Sequence, residues 1–157
     1  MEHDSCCYAA LLKTHGHVIN VASGLALVNV GYSAAYSASK RAIAAYSDVL
    51  RQEYGDRIDV TTLYPAFIKT PIHEPSEKDN TSLADIVRPE PVEFASKALL
   101  KAILTKPRDL STSHVSNFQL FMARHFRRSL DKLLRDKMKK AEKIKGKPTF
   151  VRDFDKR

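Results

Sequence analysis

The chain has 157 residues, 43% of them hydrophobic, and a formal net charge of +8. That is the size of one globular domain with enough apolar material for a core, which excludes a disordered polymer and a coiled coil. Its cysteines are Cys6 and Cys7 alone; sequence neighbours are poorly placed to bridge each other and show no zinc spacing, so a reducing compartment is expected and no metal site is assigned.

The opening segment "CCYAALLKTH" reads as a helix. His3, Asp4, Lys13, His15 and His17 interrupt the first twenty residues, so neither a signal peptide nor a spanning helix is expected. "HVINVA" (17–22) is a β-branched run that leads into Ser23-Gly24 and reads as a buried strand. A helix is expected from about Ser33 to Gly55, with Ser33 as its cap and Ile43, Tyr46, Val49 and Leu50 on its buried face. "DVTTLY" (59–64), stopped by Pro65, is a second strand. A strand, a helix and a strand in that order make a parallel crossover unit.

The stretch from Pro71 to Pro91 is polar and bracketed by prolines, a length typical of binding loops. A further helix follows, with Val92, Ala95, Leu99, Ala102 and Ile103 at helical spacing up to Pro107. "DLSTSHV" (109–115) fits a third strand, and a last helix is expected from Ser116 to about Lys145, carrying Phe118, Phe121, Met122, Phe126, Leu130, Leu133, Leu134 and Met138. The charge is concentrated there. Met122–Lys147 holds eleven lysines and arginines against three acidic residues, while the rest of the chain has fifteen of each sign.

The chemistry gathers between the first two strands. Residues four apart on a helix share a face about 6 Å apart along the axis, so Tyr36 and Lys40 can point into one site. A phenol is a poor base at neutral pH, and a neighbouring ammonium favours its ionised form, which makes a usable proton donor and acceptor. Ser23 directly follows a strand, so its hydroxyl stands at the carboxyl end of a parallel sheet, the usual ligand crevice. Ser37, Ala38 and Ser39 are too small to crowd a ligand on the first turn.

"HVINVASG", "YSASK" and "VTTLYPAFIKTPI" together resemble consecutive signature segments of the short-chain dehydrogenase/reductase family, over about Ala9 to Ile72. Pro91–Ile103 and the basic tail are similar to its membrane-associated, 11β-hydroxysteroid-dehydrogenase-like group. The resemblance implies an α/β fold, the carboxyl-terminal part of a doubly wound Rossmann-type parallel sheet. It also implies a nicotinamide cofactor, with NADP favoured over NAD, and a carbonyl or alcohol substrate of lipid-like, steroid or retinoid kind. By that resemblance Tyr36 is the acid/base, Lys40 holds the nicotinamide ribose, and Ser23 hydrogen-bonds the substrate oxygen. In "PAFIKT", Pro65 opens the segment whose Ile68 backbone and Thr70 hydroxyl receive the nicotinamide carboxamide. Ala66 stands where the family has glycine. Dimerisation through the Tyr36 helix is a further implication.

The family's glycine-rich phosphate loop cannot be placed, because the five glycines are scattered and only Gly16 precedes Ser23. Neither Asn20 nor Asn29 substitutes for the family's catalytic asparagine, which lies farther back than this sequence reaches. Residues 1–115 are therefore expected to form a partial Rossmann domain with its active-site segment at 17–72, binding intact cofactor weakly or not at all. The edge of its first strand invites pairing with another chain, and a non-catalytic module that joins a longer relative is the alternative to an enzyme.

Residues 116–157 are expected to form a basic amphipathic helix and tail. Three roles are open to it: a helix beside the substrate pocket, attachment of residues 116–147 to an anionic membrane, or electrostatic contact with nucleic acid. No aromatic stacking platform accompanies the charge, which disfavours nucleic acid. The expected location is the cytoplasm or the cytosolic face of the endoplasmic reticulum. His15 and His17 read as polar residues in a turn rather than metal ligands. The "NTS" at Asn80 matters only in a secretory lumen. A serine hydrolase is excluded because Val21 and Leu25 occupy the glycine positions of G-x-S-x-G.

Overall fold

A computed structural model describes residues 3–28, 30–31, 33–71, 87–112, 118, 121–122 and 125–145. Residues 72–86, which include Asn80, and residues 113–117 lie outside the described residues. Helix α1 spans His3–Thr14, strand β1 His17–Val21, helix α2 Ala34–Tyr54 and strand β2 Asp59–Tyr64. Helix α3 spans Val92–Thr105, strand β3 Asp109–Ser111 and helix α4 Arg127–Lys145. The strands form one parallel sheet in the order β1-β2-β3, with His17 opposite Asp59, Val21 opposite Leu63, and Leu63 opposite Leu110.

Side chains alternate across β2 with the period of two that a pleated strand imposes. Val60 and Tyr64 pack with Leu50 and Ala44 of α2, and Tyr8, Leu11 and Leu12 of α1 join the Val60 cluster. Leu63 instead packs with Ala98 and Ala102 of α3, with Leu110 and Ile19 beside them. The sheet is therefore sandwiched between helices, which is the α/β arrangement expected of a parallel sheet.

The helices turn different faces to the sheet than their large hydrophobic residues suggest. On α2 the buried positions are Ala44, Ser47 and Leu50, whereas Tyr46 and Val49 are each 48% exposed. On α3 they are Ala98 and Ala102, whereas Val92, Leu99 and Ile103 are exposed. The expected positions Leu50, Ile43 and Ala102 do face the core, but they are joined there by the small residues Ala44, Ser47 and Ala98, which let each helix approach the strands closely, in place of Tyr46, Val49, Leu99 and Ile103. Ser33 occupies the position before α2 but does not cap it: its hydroxyl donates to Val30 O at 2.7 Å and lies 3.1 Å from the Ser37 hydroxyl.

The expected last helix is interrupted at Phe126: Phe118, Phe121, Met122 and His125 are helical, Phe126 is not but bonds through its N–H to Met122 O, and α4 follows. Leu130, Leu134 and Met138 pack on Leu25, Val28 and Val30, whereas Leu133 of the same stripe is exposed. A Cβ on Gly31 would meet Met138 Cε at 2.7 Å, so α4 seats against the backbone of the segment between Ser23 and Tyr36.

Arg51, which the sequence did not single out, is a structural tie. Its guanidinium donates to Val60 O at 2.9 Å, Thr62 Oγ1 at 2.5 Å, Arg108 O at 2.6 Å and Asp48 Oδ1 at 2.7 Å, with only 11% of the side chain exposed. A cation so enclosed needs that number of acceptors to offset its lost hydration.

On the opposite face, the buried Thr61 hydroxyl donates to Pro107 O at 2.6 Å and lies 2.8 Å from His17 Nε2. A hydroxyl has one hydrogen, so Nε2 is the donor to Thr61. Burial pushes the His17 imidazole below its ordinary value of 6.5, against the pull of Asp59 and with a smaller push from Lys106. Below 6.5 the unfolded chain therefore binds a proton that the folded chain resists. The contribution is intact above 6.5 and is lost as the pH falls from there toward the depressed folded value. Between about pH 7.5 and 5.5, thermal denaturation followed by circular dichroism should show a larger fall in Tm for the wild type than for His17→Gln, which keeps a donor but cannot titrate. Equal falls would contradict the assignment.

Candidate active site

The ladder between β1 and β2 does not stop where the strands end. Ala22 N–H donates to Leu63 O at 2.8 Å, and Gly24 N–H to Pro65 O at 2.9 Å. Ser23 is thus held beside the segment that begins at Pro65. Extended at φ −170° and ψ 155°, it opens the short 3-10 turn Gly24–Ala26. The residue is only 9% exposed, and its hydroxyl accepts the Leu25 N–H at 3.2 Å. Among the described residues that hydroxyl's own hydrogen has no acceptor, so it remains available to donate to a substrate oxygen. The turn is braced from α2 by Arg41 Nε, which donates to Ala26 O at 2.8 Å.

Tyr36 and Lys40 lie on the first turns of α2. The Lys40 Nζ stands over the Tyr36 ring, 5.8 Å from its centroid, and donates a long hydrogen bond of 3.4 Å to Val21 O. Val21 ends β1, two residues before Ser23. Lys40 therefore joins the helix that carries the phenol to the strand that carries the serine. Tyr36 is 47% exposed, and among the described residues no hydrogen bond links it to Ser23. What connects their two elements is Lys40, which lies over the Tyr36 ring and bonds the end of the strand before Ser23.

The other sequence-identified positions follow β2. Pro65 receives the Gly24 N–H, and Ile68 forms an isolated parallel bridge with Glu90. Glu90 N–H donates to Phe67 O at 2.7 Å and Lys69 N–H donates to Glu90 O at 2.9 Å. These bonds straddle Ile68, so its own N–H and C=O point away from Glu90 and, among the described residues, bond to nothing. That unpaired donor and acceptor fit the amide end of a nicotinamide. Thr70 is half-buried, and its hydroxyl has no hydrogen bond among the described residues. Glu90 and Thr112, which hold this segment, were not singled out by the sequence. The only hint was that Thr112 lies in the third strand's run.

Residues 5–81 match the family model described as short chain dehydrogenase. The chain is 30% identical over 93 residues to "11-beta-hydroxysteroid dehydrogenase-like 2" of Arabidopsis thaliana, an alignment that covers 59% of this chain and 30% of that protein. It is 41% identical over 56 residues to "Dehydrogenase/reductase SDR family member 7B" of Xenopus tropicalis, covering 35% of this chain and 18% of that one. Among solved structures it is similar to a short chain dehydrogenase from Burkholderia cenocepacia J2315 in complex with NADP, at a TM-score of 0.67 and 25% identity. That superposition covers 81% of this chain and 50% of the other. The matches thus span well under half of the curated relatives' length, and the parallel sheet corresponds to part of the relative's fold.

Because the Lys40–Val21 bond is long and at the surface, replacing Lys40 by Met should change the free energy of unfolding by less than about 0.5 kcal/mol. Urea denaturation checks this, and a cost above about 2 kcal/mol would mean that Lys40 is chiefly structural.

Proposed function

Because this chain belongs to the short-chain dehydrogenase/reductase family, we propose that it works in a nicotinamide-dependent oxidoreductase that interconverts an alcohol and a lipid-like carbonyl. The observation that carries this reading is the Lys40 ammonium, set over Tyr36 and tied to the end of the strand that leads to Ser23. Ser23, with its oxygen already accepting the Leu25 N–H, donates to the substrate oxygen and orients it. Tyr36 gives that oxygen a proton in reduction and takes it back in oxidation. Lys40 stabilises negative charge on the phenol side of the exchange and holds ribose hydroxyls. The Ile68 main chain and the Thr70 hydroxyl hold the carboxamide, with Pro65 fixing where their segment departs from β2.

When bound, the cofactor supplies or accepts the hydride. NADP is favoured over NAD, in keeping with the NADP-bound structural relative. The steroid named in the Arabidopsis thaliana relative supports a lipid-like substrate. The sequence has no G-x-G-x-x-G pattern, so millimolar NADPH is the appropriate condition. Absorbance at 340 nm with a panel of steroid, retinoid and fatty carbonyls should report turnover that Tyr36→Phe lowers at least about 100-fold. Turnover that survives Tyr36→Phe would overturn the assignment.

A second reading rests on β1, which among the described residues pairs only with β2 and so leaves one edge open. A non-catalytic module would join a longer relative or a second copy there. Absence of NADPH turnover, together with a concentration-dependent mass, would favour it.

The tail carries the proposal of location. No helix among the described residues is long and apolar enough to cross a membrane. Phe118, Phe121, Phe126 and Leu133 are each more than half exposed, close in sequence to the basic residues of α4. That pairing supports attachment to an anionic membrane surface, with the cytosolic face of the endoplasmic reticulum as the location proposed. In flotation assays the chain should rise with vesicles containing phosphatidylserine and not with phosphatidylcholine alone. Equal recovery from both would refute an electrostatic attachment.

A further inference from the structure

The segment Pro65–Thr70 has no repeating secondary structure, yet the reading above asks its main chain to meet a ligand with the accuracy of a hydrogen bond. Two residues remote in sequence supply the constraint. Thr112 follows β3 directly and is buried, with 7% exposure. Its hydroxyl accepts the Ala66 N–H at 3.2 Å and donates to Glu90 Oε2 at 2.5 Å. Both functions of one hydroxyl are thereby used, and its orientation is determined. Glu90 receives that hydrogen on its carboxylate while its backbone brackets Ile68 through Phe67 O and Lys69 N. Ala66, Phe67 and Lys69 are thus all tied to one Thr112–Glu90 unit.

We infer that Thr112 and the Glu90 carboxylate are positioning residues, which hold the Ile68 main chain at the angle where its N–H and C=O read a primary carboxamide. The inference rests on the reading given under the proposed function and adds to it the residues that determine carboxamide recognition. A carboxamide offers an acceptor and a donor side by side, the complement of one strand-edge residue. A carboxylate in its place offers only acceptors, and the Ile68 C=O would face it with repulsion. An edge held this rigidly therefore discriminates between the two, and a loosened edge turns aside and loses the discrimination. Loss of the hydroxyl removes the acceptor of the Ala66 N–H and one donor to the Glu90 carboxylate.

The test uses the full 157-residue chain labelled with nitrogen-15 and two probes, nicotinamide mononucleotide and nicotinic acid mononucleotide, titrated at millimolar concentration. Neither probe requires a seat for the adenosine half. In the wild type the amides of Tyr36–Lys40 and Ile68–Lys69 should shift together, with the carboxamide probe bound more tightly. Thr112→Val and Glu90→Leu should weaken the carboxamide probe about three- to tenfold and bring the two probes to equal affinity. Thr112→Ser, which keeps the hydroxyl, should restore the preference. Variants that weaken both probes equally, with the preference intact, would show a structural role only and overturn the inference. Shifts at Tyr36–Lys40 without any at Ile68–Lys69 would overturn it while leaving the proposed function standing. No shift in any chain would overturn both.

Discussion

The parallel pairing of β1 with β2 is the constraint on which the candidate site depends. Its register sets Val21 opposite Leu63, and the ladder continues past the strand ends through Ala22 to Leu63 and Gly24 to Pro65. Each such bond is worth only about 1 kcal/mol net. Their effect is chiefly geometric, since they carry Ser23 and Pro65 side by side out of the same end of the sheet. The helix that bears Tyr36 reaches that end because Ala22, Ala26 and Ala44 pack together with Tyr64. Larger side chains at the alanines would push α2 away from the end of the strand that leads to Ser23.

Much of this order was legible in the sequence, and the physical reasons are specific. Runs of β-branched residues ended by Ser23-Gly24 and by Pro65 mark β1 and β2, because little else tolerates those residues and those stops together. The spacing of Tyr36 and Lys40 gives their shared face, since helical geometry is fixed. Which face α2 and α3 turn inward was legible only in part: Ile43, Leu50 and Ala102 lie in or against the core as expected. Hydrophobic periodicity weights Tyr46, Val49, Leu99 and Ile103 heavily, whereas close packing on a sheet selects Ala44, Ser47, Ala98 and Ala102. Arg51 was missed for a related reason: its four acceptors come from β2, the turn before β3 and its own helix, and only the folded chain assembles them.

The basic helix shows how one segment divides its roles. Leu130, Leu134 and Met138 close over Val30 and the Gly31 backbone, so α4 supports the connection between the serine turn and the tyrosine helix. Its charges, by contrast, contribute nothing to that core. A change of charge on its outer side and a change of shape on its inner side therefore act on separate properties of the chain, the first on what approaches the surface and the second on how firmly residues 24–33 are seated.

Ile68 illustrates what kind of chemistry leaves no trace in an alphabet of side chains. A peptide group that serves as donor and acceptor is indifferent to whether isoleucine, valine or leucine carries it, yet proline would delete half of it. Drift at such a position is silent until one particular letter appears. Reading it requires asking which edge of the backbone has been left bare by its neighbours, a question that concerns Glu90 as much as the residue itself.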